Sequence, residues 1–518
     1  MTAVLQRSAL RPAATRINGL DVWLAAMLLT PRRAAASMTV CIAVFCLLGF
    51  GIHVLSTRAE TLFMDSSEAY AWGMQFLGGY GRHPPLTGWI ARIWYSVFPA
   101  ANWSSYALSE VMTGVSLASI YLIGRRVLGL RRATLVVFAM MLYPLYFGAK
   151  ADRFNNYQVL LAVMPLTVWL FLRAFEKPTA RAGLALGLAA AAATLTIYSA
   201  AFGLAGIGFA ALLHPRRGQF FTSPAPYVAA IVYLLALSPH VLWLVHNDFS
   251  TLRWATGFVS EASHRAHVLT YLGQHFALLA FCLIVPAIAL WPWRWRSAPS
   301  GAPFPGERSL VWTIAGVLVV GPVFVGLAFN VFLKPDWGNQ FFFLVPIAVV
   351  SLLPQVLVTR RAIARAAMVA AIFTVCLLAG APVYSWVRFK TEPDDGLYRP
   401  FGEAAAEITR LWHDRFHSPL PIVVSGFDVA AHIVFYSPDH PKMYADFDPA
   451  YSPWIDYPAE LKREGYVGVC FADDVACRAN LKALNASAEQ LDISVQRHMY
   501  GIATPPTTFH LEFTGPNP

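Results

Sequence analysis

Apolar runs alternate with short polar segments along most of the chain. Eleven runs approach the length needed to cross a bilayer: 38–55, 106–123, 133–149, 159–174, 182–197, 201–213, 227–245, 269–290, 310–333, 341–357 and 368–383. The fifth and sixth form one stretch broken only near Tyr198 and Ser199, which fits either two crossings or a single tilted or re-entrant segment. Charge decides between them. With the N-terminus inside and eleven crossings, the inner segments hold twenty Lys and Arg residues, and the outer loops before the tail hold eight. Removing one central crossing would put the later basic clusters outside, against the positive-inside bias.

The predicted fold class is therefore a mostly α polytopic membrane protein. A cytoplasmic segment spans 1–36, a transmembrane unit 37–386 includes a long first outer loop at 56–105, and an α/β unit follows at 387–518 on the periplasmic side. The first run follows arginines, but no small-residue cleavage site follows Leu55, so it reads as an anchor. Residues 20–29 are too short an apolar stretch to span and are expected to lie along the inner surface. In the tail, 401–416 has helical periodicity, and 421–424, 467–471 and 508–513 read as short strands.

Composition agrees with that class. The chain is 57% hydrophobic and only 13% charged, against about 25% charge for soluble proteins. Its net charge of +10 could suggest nucleic acid, but the arginines cluster between apolar runs, so membrane lipids are the expected partner and nucleic acid is not. Cys41, Cys46, Cys282 and Cys376 lie within apolar runs as packing residues. Cys470 and Cys477 lie in the tail, where an outside location would let them form a disulfide. Their spacing is not a zinc pattern and no metal-ligand cluster appears.

Candidate chemistry concentrates in the first outer loop. Asp65 and Glu68 stand just past the first run, at the start of a segment whose Ala69, Trp72, Phe76 and Leu77 recur at helical spacing. Gly78 to Leu86 then form a rigid glycine- and proline-rich turn with a cation pair, Arg82 and His83, at its tip. A second interfacial helix is expected over 87–98. Two carboxylates and two cations are thus held at the membrane surface. A carboxylate in a loop is more often simply solvated, so the acids alone would not single out a site.

This loop resembles the GT-C glycosyltransferases of the protein O-mannosyltransferase and aminoarabinose (lipid A) transferase type. Those enzymes carry an acidic motif at the outer end of the first helix and a K/H-P-P-L turn about fifteen residues later, matched here by Asp65, Glu68 and His83-Pro84-Pro85-Leu86. Arg153-Phe154-Asn155-Asn156, the segments 238–244 and 247–249, Lys334-Pro335-Asp336-Trp337, Phe401-Gly402-Glu403 and Tyr436-Ser437-Pro438-Asp439 are similar to the bacterial subgroup. Two departures stand out. The family's acids are adjacent, whereas two serines separate Asp65 from Glu68, and Asn155 and Asn156 occupy the neighbourhood where many relatives have an aspartate.

The resemblance implies a sugar transferase that needs no cofactor or metal beyond its donor, a polyprenyl-phosphate-linked sugar, and that serves a glycolipid, glycan or protein acceptor. Asp65 would take the acceptor's proton, with Glu68 as the second catalytic carboxyl. Arg82, His83, Asn155, Asn156, Arg253 and Lys334 would bind substrate, Lys334 foremost at the leaving phosphate. Asp439 and Trp454 would shape the acceptor side, and His240 would be a packing histidine. A lipid or glycolipid flippase, the main alternative, would carry charges deep in several spans. The polar clusters here lie at outer ends, which favours an enzyme over a flippase or a non-catalytic envelope assembly protein.

Overall fold

The computed structural model describes residues 27–517 except 149, 258–264, 292–305 and 354–357. The expected surface segment 20–29 lies largely outside the described residues, as do Arg7, Arg11, Arg16, Arg294 and Arg296. Among the described residues, seven helices are long and apolar enough to cross a membrane: Ala34–Ser56, Asn102–Leu128, Asn156–Glu176, Ala225–His246, Arg265–Ala289, Gly306–Ala328 and Arg360–Thr391. At about 1.5 Å rise per residue each exceeds the roughly 30 Å hydrocarbon core. Their outward faces show large apolar side chains such as Leu47, Leu235 and Leu269, as a multi-pass membrane protein requires.

Four of the eleven apolar runs form shorter elements. The run at 133–149 gives helix Leu130–Met140 and a 3-10 turn Pro144–Tyr146, because Pro144 cannot supply the next helical N–H. The run at 341–357 gives a 3-10 segment Pro335–Leu344 followed by Val345–Ser351. The fifth and sixth runs form separate helices, Ala180–Thr196 and Ala201–Leu213, parted by a 3-10 turn at Tyr198–Ala200.

Within the bundle, Ala34–Ser56 packs between Asn102–Leu128 and Arg360–Thr391, and Asn156–Glu176 lies against both Asn102–Leu128 and Ala180–Thr196. Near one end of the first pair, buried His53 and Glu110 meet at 3.1 Å, so neither polar group faces lipid unpaired.

Loop 56–105 holds helices Met64–Gln75 and Leu86–Tyr95. Between them Tyr80 and His83 exchange backbone hydrogen bonds of 3.0 and 3.2 Å. The turn lies flat on the Trp243 indole, and a Cβ on Gly79 would overlap that ring, which is why the chain needs glycine there. His240 secures the same turn. Its Nδ1 donates to the Gly78 carbonyl at 2.7 Å, leaving Nε2 to accept from the Tyr198 hydroxyl at 2.9 Å.

The C-terminal part builds a five-stranded mixed sheet. Strands β1 (Ile422–Ser425), β2 (Lys442–Ala445), β3 (Tyr466–Phe471) and β4 (Glu489–Val495) are followed by a two-stranded hairpin, β5 (His498–Met499) and β6 (Ile502–Ala503), and by β7 (Thr507–Thr514). The order is β2-β1-β3-β7-β4, with β1 parallel to β2 and β3 and the remaining pairs antiparallel. Cys470 on β3 is bonded to Cys477 on helix Val475–Leu484. The sheet and loop 56–105 share one apolar core. Leu62, Tyr70, Ala71 and Tyr106 pack with Phe401, Trp412, Val423 and Phe435. His432 Nε2 and the Tyr436 hydroxyl bond the Leu62 backbone from the same side, each at 2.8 Å.

Candidate active site

A cavity of about 510 Å³ lies where loop 56–105, the start of Asn156–Glu176, the segment 332–340 and the start of the C-terminal helix Phe427–Tyr436 converge. Asp65 and Glu68 enter it from the first turn of Met64–Gln75, three residues apart and so on one face of the helix.

Asn155 explains how Asp65 is held. Its Oδ1 accepts from the N–H groups of Tyr157 and Gln158 at 3.0 and 3.1 Å, capping Asn156–Glu176. The same amide's Nδ2 donates to Asp65 Oδ2 at 3.1 Å. The cap fixes which end of the amide faces the acid. Burial raises the Asp65 carboxyl above its ordinary value, opposed by the Asn155 hydrogen bond and by the charges of Arg153, Lys334 and Arg82. Glu68 is buried, lines the cavity and makes no hydrogen bond among the described residues. Burial, reinforced by the Asp65 charge, raises its carboxyl well above its ordinary value.

Lys334 lines the cavity opposite in charge to these acids. It is exposed, and its side chain has no hydrogen bond or ion pair among the described residues. Two residues on, Asp336 is paired with Lys150 and accepts from Gln274 at 3.2 Å. Its partial burial is outweighed by those hydrogen bonds and by the Lys150 and Lys334 charges, which hold it below its ordinary value. Arg153 lies over the Phe63 ring at 3.7 Å and also lines the cavity. Trp72, Trp254 and Trp337 supply flat apolar walls.

Several expectations are corrected by this arrangement. His83 faces the cavity but is not a cation: burial and the neighbouring Arg82 push its pKa down to about 3. It sits edge-on to Trp72 and Trp254, with ring centres 5.5 and 4.9 Å apart. Arg253 is exposed and does not line the cavity; its neighbour Trp254 does, because adjacent helical side chains diverge by about 100°. Asn156 lines the cavity, but its Oδ1 accepts from Thr87, tying the second loop helix to the bundle. Asp152, the acid nearest to Asn155 and Asn156 along the chain, is buried outside the cavity lining. Asp439 binds His413 and the Leu420 N–H, both at 2.7 Å, and Trp454 donates to the Met443 carbonyl at 2.7 Å; neither lines the cavity.

Sequence reading missed Lys150, Asp336 and Phe427 as parts of this wall. Asp336 lies in the quoted Lys334-Pro335-Asp336-Trp337 motif, which was its signal. Lys150 registers only as a loop charge, and Phe427 carries no local signal at all.

Residues 82–243 match the family model of dolichyl-phosphate-mannose-protein mannosyltransferase. That segment includes the His83-Pro84-Pro85-Leu86 turn and Asn155, and begins after Asp65. No curated protein sequence matches the chain. Among solved structures, ArnT from Cupriavidus metallidurans bound to undecaprenyl phosphate is similar with a TM-score of 0.59 at 16% identity, over 92% of this chain and 98% of that one. The same enzyme in the apo state gives 0.57 at 14% identity over the same shares. By that matched segment and by its fold, the chain resembles the GT-C membrane glycosyltransferases of the protein O-mannosyltransferase and aminoarabinose transferase type.

Proposed function

We propose that the protein is a membrane glycosyltransferase that moves a sugar from a polyprenyl-phosphate donor to an envelope lipid, glycan or protein acceptor. The observation that carries this reading is the content of one cavity: a half-buried carboxyl gripped by a fixed amide, and a lysine whose side chain is unpaired among the described residues. The fold shared with ArnT, a protein described as bound to undecaprenyl phosphate, supports the donor class.

The chemistry follows from the charges. The acceptor oxygen attacks C1 of the sugar, and its proton passes to the Asp65 carboxylate. The bond between C1 and the phosphate oxygen breaks, and its electron pair leaves on the lipid phosphate. Lys334 meets that growing negative charge, with Lys150 and Arg153 in the same wall. Glu68, whose raised pKa favours the protonated form, donates a hydrogen bond to a sugar or acceptor oxygen. An acceptor phosphate is already ionised, and with it Asp65 would act by positioning alone. The donor's sugar–phosphate bond supplies the activation.

In the same reading the eleven apolar runs all cross the inner membrane, with the N-terminus in the cytoplasm and the cavity and C-terminal sheet in the periplasm. The twenty-to-eight split of basic residues supports this topology. The experiment is turnover of a labelled polyprenyl-phosphate sugar by the purified protein in proteoliposomes. Transfer of label to an acceptor is the expected result. Movement of the intact labelled lipid across the bilayer, without cleavage of the sugar–phosphate bond, would replace the enzyme with a flippase.

A further inference from the structure

The loop that follows β2 reaches across to the turn of loop 56–105. Asp446 forms an ion pair with Arg82 Nη2. The guanidinium lies between two aromatic rings of the C-terminal part, 4.1 Å from the centre of Phe427 and 4.8 Å from that of Tyr451. Asp446 is itself tightly placed. Its Oδ1 accepts from the Phe427 N–H at 2.8 Å, and its own N–H donates to the Ser425 carbonyl at 2.9 Å.

The backbone there is unusual. Asp446 and Phe447 both adopt the left-handed region, with φ of 54° and 57°, which is uncommon for aspartate and rarer still for a bulky side chain. Strain of this kind persists only where surrounding contacts fix it, and it concentrates at functional sites. The opposing strand of chain is equally close. A Cβ on Gly81 would lie 2.5 Å from the Ala450 carbonyl oxygen, so Gly81 is needed for the two loops to meet.

Arg82 is not used up by these contacts. Its Nε is buried with no hydrogen-bond partner among the described residues, and the side chain lines the cavity beside Asp65 and Glu68. Phe427, against which it stacks, lines the same cavity. An arginine stacked on two rings and paired on one edge has little rotational freedom and presents its remaining donors in a fixed direction.

We propose that Asp446 is a positioning residue that fixes Arg82 in the wall of the cavity, so that the C-terminal part, and not the helical bundle alone, completes the site. This rests on the glycosyl-transfer reading. Arg82 is the group facing substrate, and Asp446 acts through it.

The test is a double-mutant cycle in the full-length protein, using labelled polyprenyl-phosphate sugar as probe. Asp446→Ala and Arg82→Ala should each lower kcat/KM roughly tenfold, and the double variant should be no slower than Arg82→Ala alone, because residues acting as one unit are not additive. Asp446→Asn keeps an oxygen for the Phe427 N–H but removes the charge, and should show the same loss with an unchanged melting temperature. Added guanidinium ion, at concentrations far below denaturing ones, should restore activity to Arg82→Ala but not to the double variant, since only Asp446 closes the vacated slot. A purely structural role would not produce that difference. Multiplicative losses, an Asp446→Asn protein with parental kinetics, or equal rescue of both variants would each overturn the proposal while leaving the glycosyltransferase reading intact. A parent protein with no transfer activity would overturn both.

Discussion

Replacing Asp65 by asparagine separates the chemistry of this carboxyl from its packing. Asn155 cannot turn its amide, because Oδ1 is committed to the N–H groups of Tyr157 and Gln158. The new side chain must therefore direct its carbonyl oxygen towards Asn155 Nδ2, which keeps the 3.1 Å contact of the parent. Its NH₂ group then takes the place of Oδ1, the oxygen left free to act as base. Shape and anchoring survive, and a donor stands where the acceptor's proton should go. The expected cost is the usual worth of a general base, on the order of 10²–10⁴ in rate, or about 3–5 kcal/mol of barrier at 1.36 kcal/mol per tenfold. The pH profile gives a second reading. Burial raises the Asp65 carboxyl, so the active carboxylate is lost on acidification at a pH above the usual range for aspartate, about 4. Parent activity should fall through that acidic limb, and the residual activity of Asp65→Asn should not. The assay is transfer to a hydroxyl acceptor by purified protein of parental melting temperature. Near-normal turnover, or an unchanged acidic limb in the variant, would refute the general-base role.

The remaining expectations can be tested on the same preparation. Glu68→Gln keeps a hydrogen-bond donor at this position without the titrating proton and should cost less than tenfold. A carboxyl raised by burial stabilises the fold at low pH and loses that contribution as pH rises through its folded value, so scanning calorimetry should show Glu68→Gln melting less sensitive to alkali. Lys334→Ala removes one charge-assisted contact and should lower kcat/KM for the donor by roughly ten- to a hundredfold in steady-state kinetics. Asn155→Asp keeps a good helix cap but sets a second carboxyl beside Asp65, and its acidic limb should move to higher pH in a rate profile. Alkaline phosphatase fused after residue 518 should be active, and a cytoplasmic reporter there inactive; the reverse would invert the proposed topology.

Long helices were legible because a bilayer demands uninterrupted apolar length, and the 401–416 helix because its apolar face repeats at helical spacing; the structure gives Phe401–Phe416. Two strands of the five-stranded sheet were not. β2 is a four-residue edge strand after Pro441, too short for a pattern. β4 alternates, with Leu491, Ile493 and Val495 facing the core, but Glu489, Gln490, Asp492 and Ser494 between them hide that period in a polar average. The break in the run at 133–149 was hidden for the opposite reason: its hydrophobicity continues through Pro144, where the helical hydrogen bonding cannot.

The site divides along a similar line. Asp65, Glu68 and the turn before Leu86 are close in sequence, and Asn155 announces itself as the residue before an apolar helix, where an amide is a natural cap. What one local signal cannot contain is a second duty, and Asn155 has one: the nitrogen left over from the cap holds the acid of a helix ninety positions away. The charge of a side chain is likewise a property of its surroundings. His83 reads as a cation beside Arg82, yet enclosure by Trp72 and Trp254 and repulsion from that same arginine keep it neutral. Arg82 reads as a loop charge until the chain returns, after crossing the bundle, to place Asp446 and Phe427 against it. The positive charge available to a departing phosphate is thus narrower than the sequence implies. Among the described cavity cations named above, Arg82 and Lys150 already face carboxylates and Arg153 lies on a ring, whereas Lys334 meets neither. A phosphate entering this cavity would find its least encumbered partner there.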